Sequence, residues 1–224
     1  MRRMISALRR RGRFVRLNRG IKADIAWWKR YARELNGVSL FLEREWRDAE
    51  ELRFYTDASL DGYGAAFLVN GKLEYFGGPW SDFGIDGNDG SWHISELEML
   101  ALLMAVDTWG SKLARRRVLV RVDNEATVTS VNKSRCADPG MMVCLRELFF
   151  VMARDSFALR CKWIGTKENV LADAASRAEW ARFRAYAAAE FGVAAEDMVK
   201  VPVGLDTSGV LRRMEKSHRA AERR

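Results

Sequence analysis

The chain has 224 residues, 48% of them hydrophobic, with only three prolines, which suits one medium globular domain with extensions and excludes a disordered composition. No apolar run nears the roughly 18 residues of a membrane span, and the basic start MRRMISALRRRGRF lacks the apolar stretch of a secretory signal, leaving an Arg-rich transit peptide as its only targeting reading. The net charge of +8 is uneven: residues 1–30 carry +10, residues 208–224 carry +4, and the middle, 31–207, carries −6. Basic ends attract polyanions by counterion release, while acids in the middle can hold cations. Charge alone also fits solvated tails. Cys136, Cys144 and Cys161 lack metal-site spacing and only two histidines accompany them. This argues against zinc and for reduced thiols in an intracellular protein with no membrane association.

In chain order, IKADIAWWKRYAREL (21–35) places Ile21, Ile25, Trp28, Ala32 and Leu35 at helical spacing. Residues 52–58, 63–69 and 72–76 read as strands, the second and third joined by Asn70-Gly71, a strong hairpin signal. Residues 77–92 read as a loop. A long helix is expected from Ser95 to about Ala114, with Leu97, Ala101, Met104, Ala105 and Leu113 on its buried side. RVLVRVDN (117–124) is a buried strand ending at Asp123, and 125–132 a short helix. Asp138-Pro139 has the form of an N-cap followed by proline, opening a helix to about Arg154. FALRCKWIG (157–165) is a fifth strand, and 168–190 is helical in two pieces. The order β-β-β-α-β-α-α-β-α predicts an α/β domain with a mixed sheet.

Four acids fall at informative places in this order: Asp57 and Asp123 at the ends of the first and fourth strands, Glu98 in the first turn of the long helix, Asp173 in the helix after the fifth strand. If strands one and four are parallel neighbours, their ends open into the crevice where open α/β sheets bind ligands. Clustered carboxylates raise one another's pKa values, and hard divalent cations relieve this. Two ions roughly 3.5–4 Å apart suit phosphodiester hydrolysis. Each acid also has a structural reading: Asp57 in a turn, Glu98 completing a Ser95-x-x-Glu98 capping box, Asp123 capping the next helix, Asp173 as an exposed helix acid.

YTDASLDGYGA, HISELEMLAL, VRVDNEATVTSVNK and WIGTKENVLADAASR resemble, in order and spacing, the four signature blocks of the ribonuclease H domain. The version attached to retroelement reverse transcriptases, including tyrosine-recombinase elements, is the nearest in kind. The resemblance covers about residues 52–178. It implies a ribonuclease H-like fold, a five-stranded mixed sheet of order 3-2-1-4-5 with helices on both faces. It also implies Asp57, Glu98, Asp123 and Asp173 as catalytic ligands of two Mg²⁺ (or Mn²⁺) ions, and an RNA–DNA hybrid as substrate. Glu96 competes with Glu98 for the second position; Glu98 is preferred because the Leu-Glu-Met around it fits the family's Leu-Glu-Leu. Ser59, Asn124, Asn132 and Arg177 are candidate substrate contacts, with turn, cap and solvated-helix roles as the alternatives.

The chain departs from the family pattern where a loop histidine often precedes the last catalytic helix: Thr166 stands there, and Trp163 stands where related versions carry histidine. The implied organisation is a basic segment and helix resembling a polymerase connection (1–48), the ribonuclease H-like domain (49–178), and a C-terminal helix with a mobile basic tail (179–224). The connection implies a reverse transcriptase polymerase region as partner, since no Tyr-x-Asp-Asp motif is in the sequence. A resolvase- or integrase-type nuclease, or a noncatalytic connection domain, are the alternatives on the same fold.

Overall fold

The computed structural model describes residues 17–34 and 52–221. The chain divides into two compact units, residues 1–39 and 40–224. In the first, helix α1 (Arg19–Glu34) forms as expected, but Trp28 and Ala32, placed on its apolar face by spacing, are exposed, while the half-buried Trp27 stacks on Tyr31 with ring centroids 5.1 Å apart. Residues 1–16 and 35–51 lie outside the described residues.

The second unit is a six-stranded sheet with helices on both faces. Strands β1 (Leu52–Ala58), β2 (Gly62–Val69) and β3 (Lys72–Pro79) form an antiparallel meander. Asn70 and Gly71 both take positive φ, 49° and 78°, as a tight primed hairpin turn requires. Strand β4 (Arg117–Val122) lies parallel to β1, and β5 (Ala158–Trp163) parallel to β4. These five strands run 3-2-1-4-5, the ribonuclease H-like order. A sixth strand, β6 (Met198–Lys200), pairs parallel with β3. Three residues with exposed Val199 and Lys200 carry too little alternation to be read from sequence. The expected loop also begins later than predicted: β3 runs on through Gly77, Gly78 and Pro79, whose composition mimics a turn, and a 3₁₀ turn (Trp80–Phe83) follows.

Alternating side chains of β1 serve different cores. Phe54 joins Phe67, Phe76 and Trp109 on one face, beneath α2 (Ile94–Trp109) and α4 (Pro139–Arg154). Tyr55 joins Leu171, Ala172 and Phe183 on the other, beneath α5 (Val170–Ser176) and α6 (Trp180–Phe191). Helix α2 is buried all round rather than along one stripe, because it lies between the sheet and α4. Helix α3 (Glu125–Asn132) packs beside β5. Asp138 caps α4 through Met141 N–H at 2.7 Å, with Pro139 at the first turn, as predicted.

The expectation of a mobile C-terminal tail is corrected up to residue 221. Thr207–Ala221 form helix α7, whose Val210, Leu211 and Met214 are buried and which packs on α4. Its three apolar anchors are diluted among arginines and lysines, which hid the helical period. Residues 222–224 lie outside the described residues.

Candidate active site

Asp57 is the sixth residue of β1, and Asp123 immediately follows β4. Because β1 and β4 are parallel neighbours, with Tyr55 opposite Arg121, both carboxylates reach the same end of the sheet. Glu98 comes from the second turn of α2, buried at its own helix–sheet junction. One carboxylate oxygen of each of these three residues lies within 4.8 Å of the others.

The cluster is electrostatically unfavourable as it stands. Burial, opposed by a hydrogen bond from Ser176 and reinforced by Asp123 and Asp173, pushes the Asp57 carboxyl up from 3.8 to about 7. Burial, with Asp57 and Asp123 added, raises Glu98 well above the carboxylate range, although a hydrogen bond from Ala58 backbone opposes it. Glu98 Oε2 is buried without a hydrogen-bond partner, a costly condition unless something positive is bound. Three convergent carboxylates with an orphaned oxygen fit a hard divalent cation.

Glu96 and Glu98 are separated clearly. Glu96 accepts from His93 backbone N–H at 3.1 Å, closing a capping box with His93, and contacts His218 Nε2 on α7 at 2.6 Å. The capping box therefore lies two residues earlier than Ser95-x-x-Glu98, and Glu98 is free of that duty. Gly140 at the start of α4 makes room for this pair, since a Cβ there would overlap Glu96 Oε1.

Asp173, on α5, is near enough for its charge to act on Asp57, but it is not among the three grouped acids. Arg177 Nε donates to its Oδ1 at 2.9 Å and Arg182 Nη1 to its Oδ2 at 2.7 Å. Burial alone would raise its carboxyl; the two guanidinium groups outweigh that and lower it.

The candidate substrate contacts all have intramolecular partners. Ser59 Oγ accepts from Gly62 N–H at 3.0 Å in the β1–β2 turn. Asn124 caps α3 by accepting from Thr127 N–H at 2.9 Å. Asn132 pairs with both backbone groups of Cys161, at 2.8 and 3.0 Å, closing the outer edge of β5. Arg177 is half-exposed beside Asp173. Thr166 is exposed in the loop before α5. Trp163 is 52% exposed, and its indole N–H donates to the Asp123 carbonyl at 3.2 Å.

Two site residues escaped the sequence reading. Ser176 donates to Asp57 Oδ2 at 2.6 Å. Asn169, fully buried, donates to Thr56 carbonyl at 3.0 Å and to Asp123 Oδ1 at 3.4 Å, and its own Oδ1 has no partner. Both lie in WIGTKENVLADAASR (163–177); a buried face at positions 169, 173 and 176 was the available signal.

No protein-family model matches the sequence, and no curated protein matches it. Among solved structures it is similar to ribonuclease H1 from the halophilic archaeon Halobacterium salinarum, with 14% identity and a TM-score of 0.42 over 58% of this chain and 97% of that one. It is similar also to the N-terminal ribonuclease H domain of a Mycobacterium tuberculosis protein, at 13% identity and TM-score 0.41 over 61% and 94% of the two chains. LC11-RNase H1, solved in complex with an RNA/DNA hybrid, matches at 19% identity and TM-score 0.41 over 57% and 94%. Likeness of this degree says nothing of activity, which depends on the side chains.

Proposed function

We propose that the chain is a metal-dependent endoribonuclease that hydrolyses the RNA strand of RNA–DNA hybrids, acting within the cell beside the polymerase region of a retroelement reverse transcriptase. The observation that carries this reading is the meeting of Asp57, Glu98 and Asp123. They come from two strands and a helix, with one buried oxygen of Glu98 left unpartnered. A scaffold has no physical use for such crowding, since like charges at this distance destabilise the fold.

Asp57, Glu98 and Asp123 would hold the first divalent ion, and Asp57 with Asp173 a second. Bound there, such ions lower the pKa of a water and stabilise the leaving oxygen of a phosphodiester. The chain's own side chains prepare the site. Ser176 fixes the rotamer of Asp57, and Asn169 ties Asp123 to the backbone of β1. A histidine is absent from the loop at Thr166, so proton transfer there falls to solvent and turnover should be slow.

The four ordered blocks support the hybrid as substrate and the retroelement setting, and hybrids are read by shape and 2′-hydroxyls across a wide minor groove. The test is cleavage of an end-labelled RNA–DNA hybrid in Mg²⁺, run beside duplex DNA and a four-way junction. Loss of hybrid cleavage in both Asp57→Asn and Asp123→Asn is expected. Junction cutting alone would indicate a resolvase, and hybrid binding without any cleavage would indicate a connection domain.

A further inference from the structure

The fourth carboxylate differs from the other three in having no free oxygen. Arg177 takes Oδ1 of Asp173 and Arg182 takes Oδ2. The two arginines are not equivalent. Arg177 caps the C-terminus of α5, one helical turn beyond Asp173. Arg182 belongs to α6, beyond a turn in which Ala178 adopts φ 56°, and lies outside the stretch that resembles ribonuclease H. The same Arg182 Nη1 also donates to Glu179 Oε2 at 2.8 Å, which fixes its reach.

Exposure is divided unequally across the pair. The Asp173 side chain is 9% exposed and that of Arg182 45%. The carboxylate is enclosed, while the guanidinium stands where a solution anion can meet it. A cation approaching Asp173 must displace one of the two guanidiniums; both are about half-exposed, but Arg182 alone comes from another helix and already has a second acceptor, Glu179, to hold it once it lets go of Asp173.

On the reading above, we propose that Arg182 is a positioning residue for the fourth carboxylate: it holds Asp173 back from the Asp57–Glu98–Asp123 cluster until a phosphate of the nucleic-acid backbone draws the guanidinium away. Charge-assisted bonds between guanidinium and phosphate compete well with those to carboxylate. Substrate and second cation would then be thermodynamically coupled through one side chain, and such coupling is reciprocal.

The experiment is calorimetric titration of the full chain with Mn²⁺, for wild type, Arg182→Gln and Arg182→Lys. Each is run alone and with an uncleavable hybrid whose RNA strand carries 2′-O-methyl groups. Wild type alone should show one strong site and one weak site. Arg182→Gln should tighten the weak site on the order of tenfold, as expected for loss of one charge-assisted competitor, leaving the strong site unchanged; Arg182→Lys should stay near wild type. The hybrid should tighten the weak site of wild type but not that of Arg182→Gln. Equal weak-site affinities in wild type and Arg182→Gln, or equal gains with hybrid in both, would overturn the proposal. Absence of any Mn²⁺ binding that Asp57→Asn removes would overturn the metal site itself, and this inference with it.

Discussion

Ser176 and Asp57 are 119 residues apart in sequence, yet the serine hydroxyl donates to Asp57 Oδ2 at 2.6 Å. The bond joins the last turn of α5 to the end of β1, the two elements that bring Asp173 and Asp57 to the same crevice. It favours the ionised form of a carboxyl that burial nevertheless holds up at about 7. Ser176→Ala should therefore weaken divalent-ion binding at neutral pH, since the ion must now also displace a more firmly held proton. We expect a loss of about ten- to a hundredfold, the scale of one hydrogen bond to a charged group. The loss should shrink at pH 8.5, where the proton that the serine bond opposes is less firmly held in either protein. Manganese titration at the two pH values measures this; an equal loss at both would mean that the serine acts by packing alone.

The ion-free protein should become less stable as pH rises. Asp57 ionises near its ordinary value of 3.8 in the unfolded chain but only at about 7 in the folded one, and Glu98 is shifted in the same direction. The folded state thus binds more protons across this window, so its stability is full below pH 3.8 for these groups and falls as pH rises towards 7. A fall in Tm on the order of 5–10 °C between pH 5 and pH 8, measured in chelator, is expected for a chain of this size. Mg²⁺ at a hundredfold excess over its Kd should restore about 2.7 kcal/mol at pH 8. A Tm that is flat with pH in chelator contradicts the raised carboxyls, whose main cause is burial and whose second is the neighbouring acids.

Glu96 and Glu98 should part company on substitution. Glu98→Gln removes a buried, repelled carboxylate, so at pH 8 without metal its Tm should equal or exceed that of wild type, with the metal-dependent rise lost. Such trade between stability and function is common where a site is strained. Glu96→Gln should keep the metal-dependent rise. It leaves one oxygen to serve both His93 and His218, at a cost of about 1–3 kcal/mol for the partner left unsatisfied. Thermal melts of both variants with and without Mg²⁺ decide the assignment, and it fails if Glu96→Gln is the one that loses the metal response.

What could be read from sequence divides along physical lines. The meander was legible because Asn70-Gly71 leaves one conformation for a two-residue turn, and β4 because RVLVRV is apolar between charged ends. Asp57, Glu98 and Asp123 were legible together, since the order of strands and helices places them at one edge. Residues whose role depends on a tertiary neighbour were not. Ser176 reads as a small helix residue until α5 is laid on β2. Arg182 reads as a solvated cation until α6 turns back towards Asp173. Val210, Leu211 and Met214 are too sparse among charges to declare a buried face, although α4 supplies one. Strand β6 exists because β3 leaves an edge free beside it, and its own three residues state no such preference.

Helix α5 is seated on the sheet by close backbone contact at a glycine. At Gly64 in β2, partner of Asp57 in the β1–β2 register, an added Cβ would overlap the backbone of Ser176, Ala172 and Ala175. Those neighbours are main-chain atoms of a helix and cannot swing aside as a side-chain end can. Gly64→Ala should force α5 off the sheet, with an overpacking penalty of about 1–3 kcal/mol. The displaced helix carries both Ser176 and Asp173, so ion binding should weaken along with stability. The control is Gly71→Ala in the hairpin, where a Cβ meets no atom within 4 Å but φ is 78°. It should lose about 1 kcal/mol or more through backbone strain alone while binding Mn²⁺ as wild type does. If Gly64→Ala lowers Tm yet leaves ion affinity untouched, α5 does not set the geometry of the carboxylates, and the positioning roles of Ser176 and Arg182 fall together.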